Sequence, residues 1–199
     1  MKGNMKKLVV FVVIATIAIF TVVAMATAGD NRQKAIRGQY AATGGGTCLV
    51  APNGFDTLVP KGGVFDLMTF SIEAVFTFTR DGTGNVERTC PTILLTANLF
   101  GVAYPFATVA KDSWNFTYAV EPDGSITLTQ VPGSHTGEFI SGPIAFPYKN
   151  EGRNRRGTVS PDGKTIILNG GSPDFVTNFE GGAFQMICND SAVLIWQHN

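Results

Sequence analysis

Three cysteines, two histidines and one cluster of basic residues are the side chains of this 199-residue chain whose types could do chemistry. Cys48, Cys90 and Cys188 stand far apart, with no pair at the spacing of a thiolate site, and His135 and His198 are isolated, so no metal is expected. In an oxidising compartment three thiols permit one internal disulfide and leave one thiol over. His135 lies in Pro132-Gly133-Ser134-His135-Thr136-Gly137, a loop composition, and His198 is penultimate; neither has a nucleophile motif around it. There is no Gly-x-Ser-x-Gly elbow, and Gly44-Gly45-Gly46 lacks the Lys-Ser/Thr ending of a phosphate loop. No catalytic residue and no cofactor follows from these patterns.

The basic cluster is Lys149, Arg153, Arg155 and Arg156. On a strand Arg153 and Arg155 share a face while Arg156 takes the other, so the group could grip a carboxylate or phosphate at the mouth of a fold. The simpler expectation is a solvated hairpin whose charges protect an edge. Arg80 and Arg88 flank a turn at Asp81 and take the same simpler expectation; Arg80 continues the inward parity of Phe78 but sits at a strand end, where water is close. Large aromatic side chains form a third group: Phe70, Phe76, Phe78, Trp114, Phe116, Tyr118, Phe184 and Trp196. Of these, Phe76, Phe78, Trp114, Phe116 and Tyr118 are the candidate ligand-binding residues, an apolar pocket wall with phenol and indole as polar handles. The plainer reading makes the same residues an ordinary core.

The elements that must carry these side chains are strands. Met68, Phe70, Ile72, Ala74, Phe76 and Phe78 alternate with Thr69, Ser71, Glu73, Val75, Thr77 and Thr79, a two-residue period that a helix would scatter around its axis. Asp81-Gly82-Thr83-Gly84 then turns the chain into a strand over 85–95. The same grammar recurs at 114–120 before Glu121-Pro122-Asp123-Gly124, and at 153–160 before Pro161-Asp162-Gly163 and a strand over 165–168. Further strands are predicted over 38–43, 47–51, 137–140, 175–179, 183–188 and 192–197, with a helical turn over 31–36 and an ambiguous apolar stretch over 96–111. The fold class is therefore all-β: an antiparallel up-and-down meander closing into a barrel of about 8–10 strands, with a two-sheet sandwich as the alternative. A closed barrel sets its first and last strands side by side, which predicts the disulfide Cys48–Cys188 and leaves Cys90 as a buried thiol, with three buried reduced cysteines as the alternative.

Residues 1–28 read as a signal peptide: Lys2, Lys6 and Lys7, an apolar run from Leu8, and small residues for cleavage after Ala28 or Ala26. The apolar run is long enough that a retained membrane anchor is the competing reading. Residues 29–36 are a linker and 37–199 one domain. Removing the leader lysines leaves 12 basic against 15 acidic residues, a charge of −3, which speaks against nucleic acid as a partner. The polar outer face of the best strand and the terminal Trp196-Gln197-His198-Asn199 speak against an outer-membrane barrel.

Arg37-Gly38-Gln39-Tyr40-Ala41-Ala42-Thr43-Gly44, then Gly46-Thr47-Cys48-Leu49, and finally Ile187-Cys188-Asn189 resemble a group of uncharacterised exported bacterial proteins over most of the mature length. More distantly, Gly38 and Tyr40 are similar to the Gly-x-Trp opening of lipocalin-like (calycin) barrels, whose last-strand Arg has no counterpart in 192–197. The leader implies a periplasmic or extracellular protein, and the succession of hairpins a barrel. Its expected role is non-catalytic, binding a small apolar or amphipathic ligand inside. The alternative is a structural envelope or extracellular protein with a filled barrel, and after that a small-barrel isomerase-like enzyme.

Overall fold

Over Phe106–Val120 every even-numbered residue is buried and every odd one is exposed or half-exposed, and this two-residue period sets the architecture of the whole protein. The computed structural model describes residues 35–63, 65–95, 105–170, 175–179 and 182–198, the side chains of 175–179 and 183 excepted. The expected leader, most of the linker and helical turn, and 96–104 of the ambiguous stretch lie outside the described residues. The strands are β1 (Gly38–Ala51), β2 (Phe55–Asp56), β3 (Val59–Pro60), β4 (Asp66–Phe78), β5 (Thr83–Leu94), β6 (Phe106–Val120) and β7 (Ser125–Gln130). They continue as β8 (Thr136–Ser141), β9 (Pro147–Glu151), β10 (Asn154–Val159), β11 (Thr165–Gly170), β12 (Phe175–Phe179) and β13 (Gly182–Trp196). Apart from the small β2–β3 hairpin, all belong to one antiparallel sheet.

That sheet closes on itself. Pairing runs β1–β4–β5–β6–β7–β10–β11–β13 and returns from β13 to β1, a ring of eight strands in up-and-down order, as the succession of turns predicts. Two long strands each serve two neighbours. Phe116–Val120 of β6 pairs with β7 and Val109–Ser113 with β8, while Ser191–Ile195 and Asn169–Thr165 join β13 to β11 before Gly182–Met186 turns to β12. Because β8 pairs with β9 and β9 with β12, three wall positions are each made of two short strands placed end to end. The lower end of the ring is taken as the one that holds the turns at Asp81, Asp123 and Asp162.

Two pairs of strands expected to be separate are single strands. Gly44-Gly45-Gly46 does not break the chain but runs inside β1, because β13 comes so close there that side chains would not fit. A Cβ at Gly44 would stand 2.1 Å from the Ser191 carbonyl oxygen, and one at Gly46 would stand 2.4 Å from Asp190 Cβ. On the other side, β13 continues through Asn189 to Ser191 for the same reason.

The inward face of the lower ring is solid. Tyr40, Phe76, Phe78, Trp114, Phe116 and Tyr118 pack with Val86, Ile126, Leu128, Ile166, Leu168 and Leu194 into one cluster. Ile36, counted with the linker in the sequence reading, is buried beneath them, where its carbonyl accepts the Tyr118 hydroxyl. Higher up, Cys48 stands opposite Cys188 in the β1–β13 register and the two form a disulfide, with Cα atoms 4.1 Å apart, while Cys90 is a buried free thiol. Among the described residues no helix is long and apolar enough to cross a membrane.

Candidate functional site

Between the aromatic lower half and the disulfide-bearing upper half lies a layer of buried polar side chains. It exists because inward positions of several strands carry charge at one level: Arg88 on β5, Asp112 on β6, Arg155 on β10 and Asp190 on β13. The broken wall positions supply the rest. Residues 131–135 separate β7 from β8 and bring His135 inside, and Gly152 in the left-handed region (φ 78°) lets the chain step between β9 and β10 so that Arg153 also enters. Gln130 pins that step. Its backbone N–H donates to the Arg153 carbonyl (3.0 Å), its side-chain oxygen accepts from Arg153 N–H (2.8 Å), and its amide donates to the Asn150 carbonyl (2.7 Å).

This placement overturns the solvated-hairpin expectation for half of the basic cluster. Lys149 and Arg156 are exposed, as expected, but Arg153 and Arg155 face the interior. Arg80 lies in water while Arg88, grouped with it in the sequence, has its side chain only 7% exposed. The physical reason is pairing: a buried guanidinium persists where carboxylates and hydrogen-bond acceptors meet it. Asp112 receives both Nε (2.9 Å) and NH2 of Arg88, and accepts the Tyr148 hydroxyl at 2.9 Å. Arg155 donates to Asp190 at 2.6 Å.

His135 stands behind this layer with its ring fully buried. The Asn150 backbone N–H donates to Nδ1 (3.2 Å), which places the ring proton on Nε2, the nitrogen facing Asp112 (3.7 Å to Oδ2) and the Asn150 side chain (3.3 Å). Burial pushes the imidazole below its ordinary value, against the pull of Asp112, so it is held neutral. Burial alone would raise the Asp112 carboxyl, but the Arg88 guanidinium and the His135 hydrogen bond hold it well below the usual carboxylate range. Burial, helped by the Asp112 charge, drives the Tyr148 phenol far up, and burial beside Arg88 brings Arg153 down to about 10. Burial also raises the Cys90 thiol, which removes it as a ready nucleophile.

Above the layer is a cavity of about 60 Å³. Its wall is apolar: the Cys48–Cys188 disulfide, Val50, Met68, Phe70, Leu94, Phe139, Phe184 and Met186. Its floor is Arg88, Arg153, Arg155, Tyr148, Asn150 and Asp190, with Cys90 and Thr92 at the side. His135 and Asp112 do not border it. Of the aromatic residues named from the sequence, Phe70 and Phe184 reach this cavity, whereas Phe78, Phe116 and Tyr118 pack against one another below. Phe76 and Trp114 meet edge to face at 6.5 Å in the same lower stack, touching only a smaller enclosed space of about 20 Å³ under the floor. The sequence reading missed Asp112, Asp190, Asn150 and Gln130 altogether. The inward parity of Asp112 with Trp114, Phe116 and Tyr118 was the available signal for the first of these. Among the described residues no group of three or more His, Cys, Asp or Glu is arranged to hold a metal. The chain matches no protein-family model, no curated protein and no solved structure.

Proposed function

We propose that this is an exported, non-catalytic protein that takes a small amphipathic ligand into the upper cavity of the ring. One observation carries the reading: an apolar wall built from the disulfide, Val50, Met68, Phe70, Leu94, Phe184 and Met186 stands directly over a floor of three guanidinium groups. An amphipathic molecule meets both, its tail against the wall and its polar end toward the Arg88, Arg153 and Arg155 side chains, which Asp112 and Asp190 help hold in place. Export is supported by the charged and apolar leader and by the disulfide, which an oxidising compartment maintains. The non-catalytic part rests on the neutral, fully enclosed His135 and the raised Cys90 thiol, neither of which offers a base or nucleophile to the cavity. The space is well under the ~300 Å³ of an ordinary ligand pocket, so the group taken inside is small, a few heavy atoms with the rest of any longer molecule toward the upper end.

A second reading, a filled structural ring, is favoured by the solid packing of Phe76, Phe78, Trp114, Phe116 and Tyr118. Native mass spectrometry of material from its own host, together with thermal shifts against a series of straight-chain acids and alcohols of two to eight carbons, separates the two. Ligand binding predicts a co-purifying mass or a shift that Val50→Trp, which fills the cavity, removes. No adduct and no shift with any member leaves the filled ring as the function.

A further inference from the structure

A second enclosed space lies under the guanidinium floor, and two buried polar atoms at its border have no protein partner among the described residues: Trp114 Nε1 and Asp190 Oδ1. Trp114 is 3% exposed and Asp190 6% exposed. Trp114 belongs to β6 and Asp190 to β13, four places apart in either direction around the eight-membered ring, so the two side chains come from opposite walls. The other oxygen of Asp190 is already committed to Arg155 at 2.6 Å.

We infer that this space is a binding site for a single water molecule, which accepts a hydrogen bond from Trp114 Nε1–H and donates one to Asp190 Oδ1. The chemistry of the two atoms selects the occupant. An indole N–H only donates and a carboxylate oxygen only accepts, so whatever joins them must do both. An anion meets repulsion from Asp190, and a cation meets the indole proton and the guanidinium groups of Arg88, Arg153 and Arg155 that border the same space. Size excludes larger neutral molecules. The volume is about 20 Å³, small but enough to admit a water, which requires roughly 10–15 Å³. Leaving both atoms without a partner forfeits the full desolvation penalty of each, which a water joining them recovers.

The consequence is a continuous polar chain across the interior, Arg155 to Asp190 to water to Trp114. It ties β10 and β13 to β6 at the level where the solid lower half meets the cavity. It is independent of the ligand reading above.

The test uses the unaltered protein. A crystal structure at about 1.5 Å or better is expected to show one isolated density peak within hydrogen-bond distance of both atoms. In solution, protein labelled with 15N at its two tryptophans gives two indole signals, assigned by Trp114→Phe, and the Trp114 indole proton is expected to show a dipolar cross-peak to a long-lived water. An empty space in the density, a protein group bonded to Nε1, or a Trp114 indole proton with no water cross-peak overturns the inference.

Discussion

Replacing Asp112 by Asn keeps the shape of the side chain and removes its charge, which makes it the sharpest probe of the buried layer. The carboxylate takes two donors from Arg88 and the Tyr148 hydroxyl, and the side chains of Arg88 and Asp112 are 7% and 1% exposed. So little exposure makes bulk water a poor replacement for the lost partner. Breaking one half of a buried ion pair costs about 3–5 kcal/mol, because the surviving charge is left in low dielectric. The Tyr148 hydrogen bond to a charged acceptor falls within that sum rather than adding to it. We expect a loss of about 4 kcal/mol, a large part of the ~5–15 kcal/mol that holds a domain folded. In urea, with a slope of roughly 2 kcal/mol per molar, the midpoint falls by about 2 M. The double variant Arg88→Met with Asp112→Leu removes both charges. It leaves only the Tyr148 hydroxyl and the His135 ring to find other partners, and it is expected to lose about 1–3 kcal/mol. The cycle closed with the single variants Arg88→Met and Asp112→Leu, each expected to lose about 3–5 kcal/mol, thus yields a coupling of at least about 3 kcal/mol. A coupling below about 0.5 kcal/mol would falsify the claim that the pair is desolvated and mutually dependent.

Acid should weaken the fold in two stages. His135 has a folded pKa below its unfolded value of about 6.5, so the unfolded chain binds the proton first and stability falls as pH drops through that value. Asp112 is likewise held low, so the stability it contributes above about pH 3.9 is lost on further acidification. Urea midpoints at pH 8, 6 and 4.5 should fall in that order, and His135→Gln should flatten the upper stage; a midpoint constant from 8 to 4.5 contradicts the assignment. Cys48→Ser with Cys188→Ser releases a chain-entropy constraint on a 140-residue separation, for which the loop-closure relation gives an upper figure of about 5 kcal/mol, and calorimetry should register a loss of about 2–5 kcal/mol. Thiol titration of the untreated protein should find no reactive thiol when folded and one, Cys90, when unfolded. Gly44→Ala should lower the thermal midpoint by several degrees, since its Cβ would stand 2.1 Å from the Ser191 oxygen; an unchanged midpoint means that β13 can move aside.

The period of two was enough to read the long strands, their turns and the neighbourhood of Cys48 and Cys188, because burial on one face imposes that alternation wherever a strand is unbroken. It failed where the wall is broken. Between Val131 and His135 the chain has the composition of a surface loop, yet it closes back on β6 through Asn115 and turns an imidazole inward. Arg153 and Arg155 were rightly put on one face, but alternation tells which residues share a face and not which face is inside. Ordinarily charge decides that, and here pairing with Asp112 and Asp190, remote in sequence, reversed the usual answer. The Gly44–Gly46 run was opaque for a related reason: a glycine that makes room for a neighbouring backbone looks, in one dimension, like one that makes a turn.

The closure of β1 on β13 also sets a timetable. A chain that emerges from its amino end presents Cys48 early and its partner 140 residues later, with Cys90 appearing well before Cys188. For that interval the first oxidation open to Cys48 is the wrong one, and the shorter loop to Cys90 closes at a smaller entropic penalty than the native loop. The folded protein resolves the competition by burying Cys90 in the ring while Cys48 and Cys188 face each other across adjacent strands. Wherever oxidation sets in before Cys188 is present, a Cys48–Cys90 bridge has to be undone by thiol–disulfide exchange to reach the native pairing, and the odd thiol is the residue that creates the need.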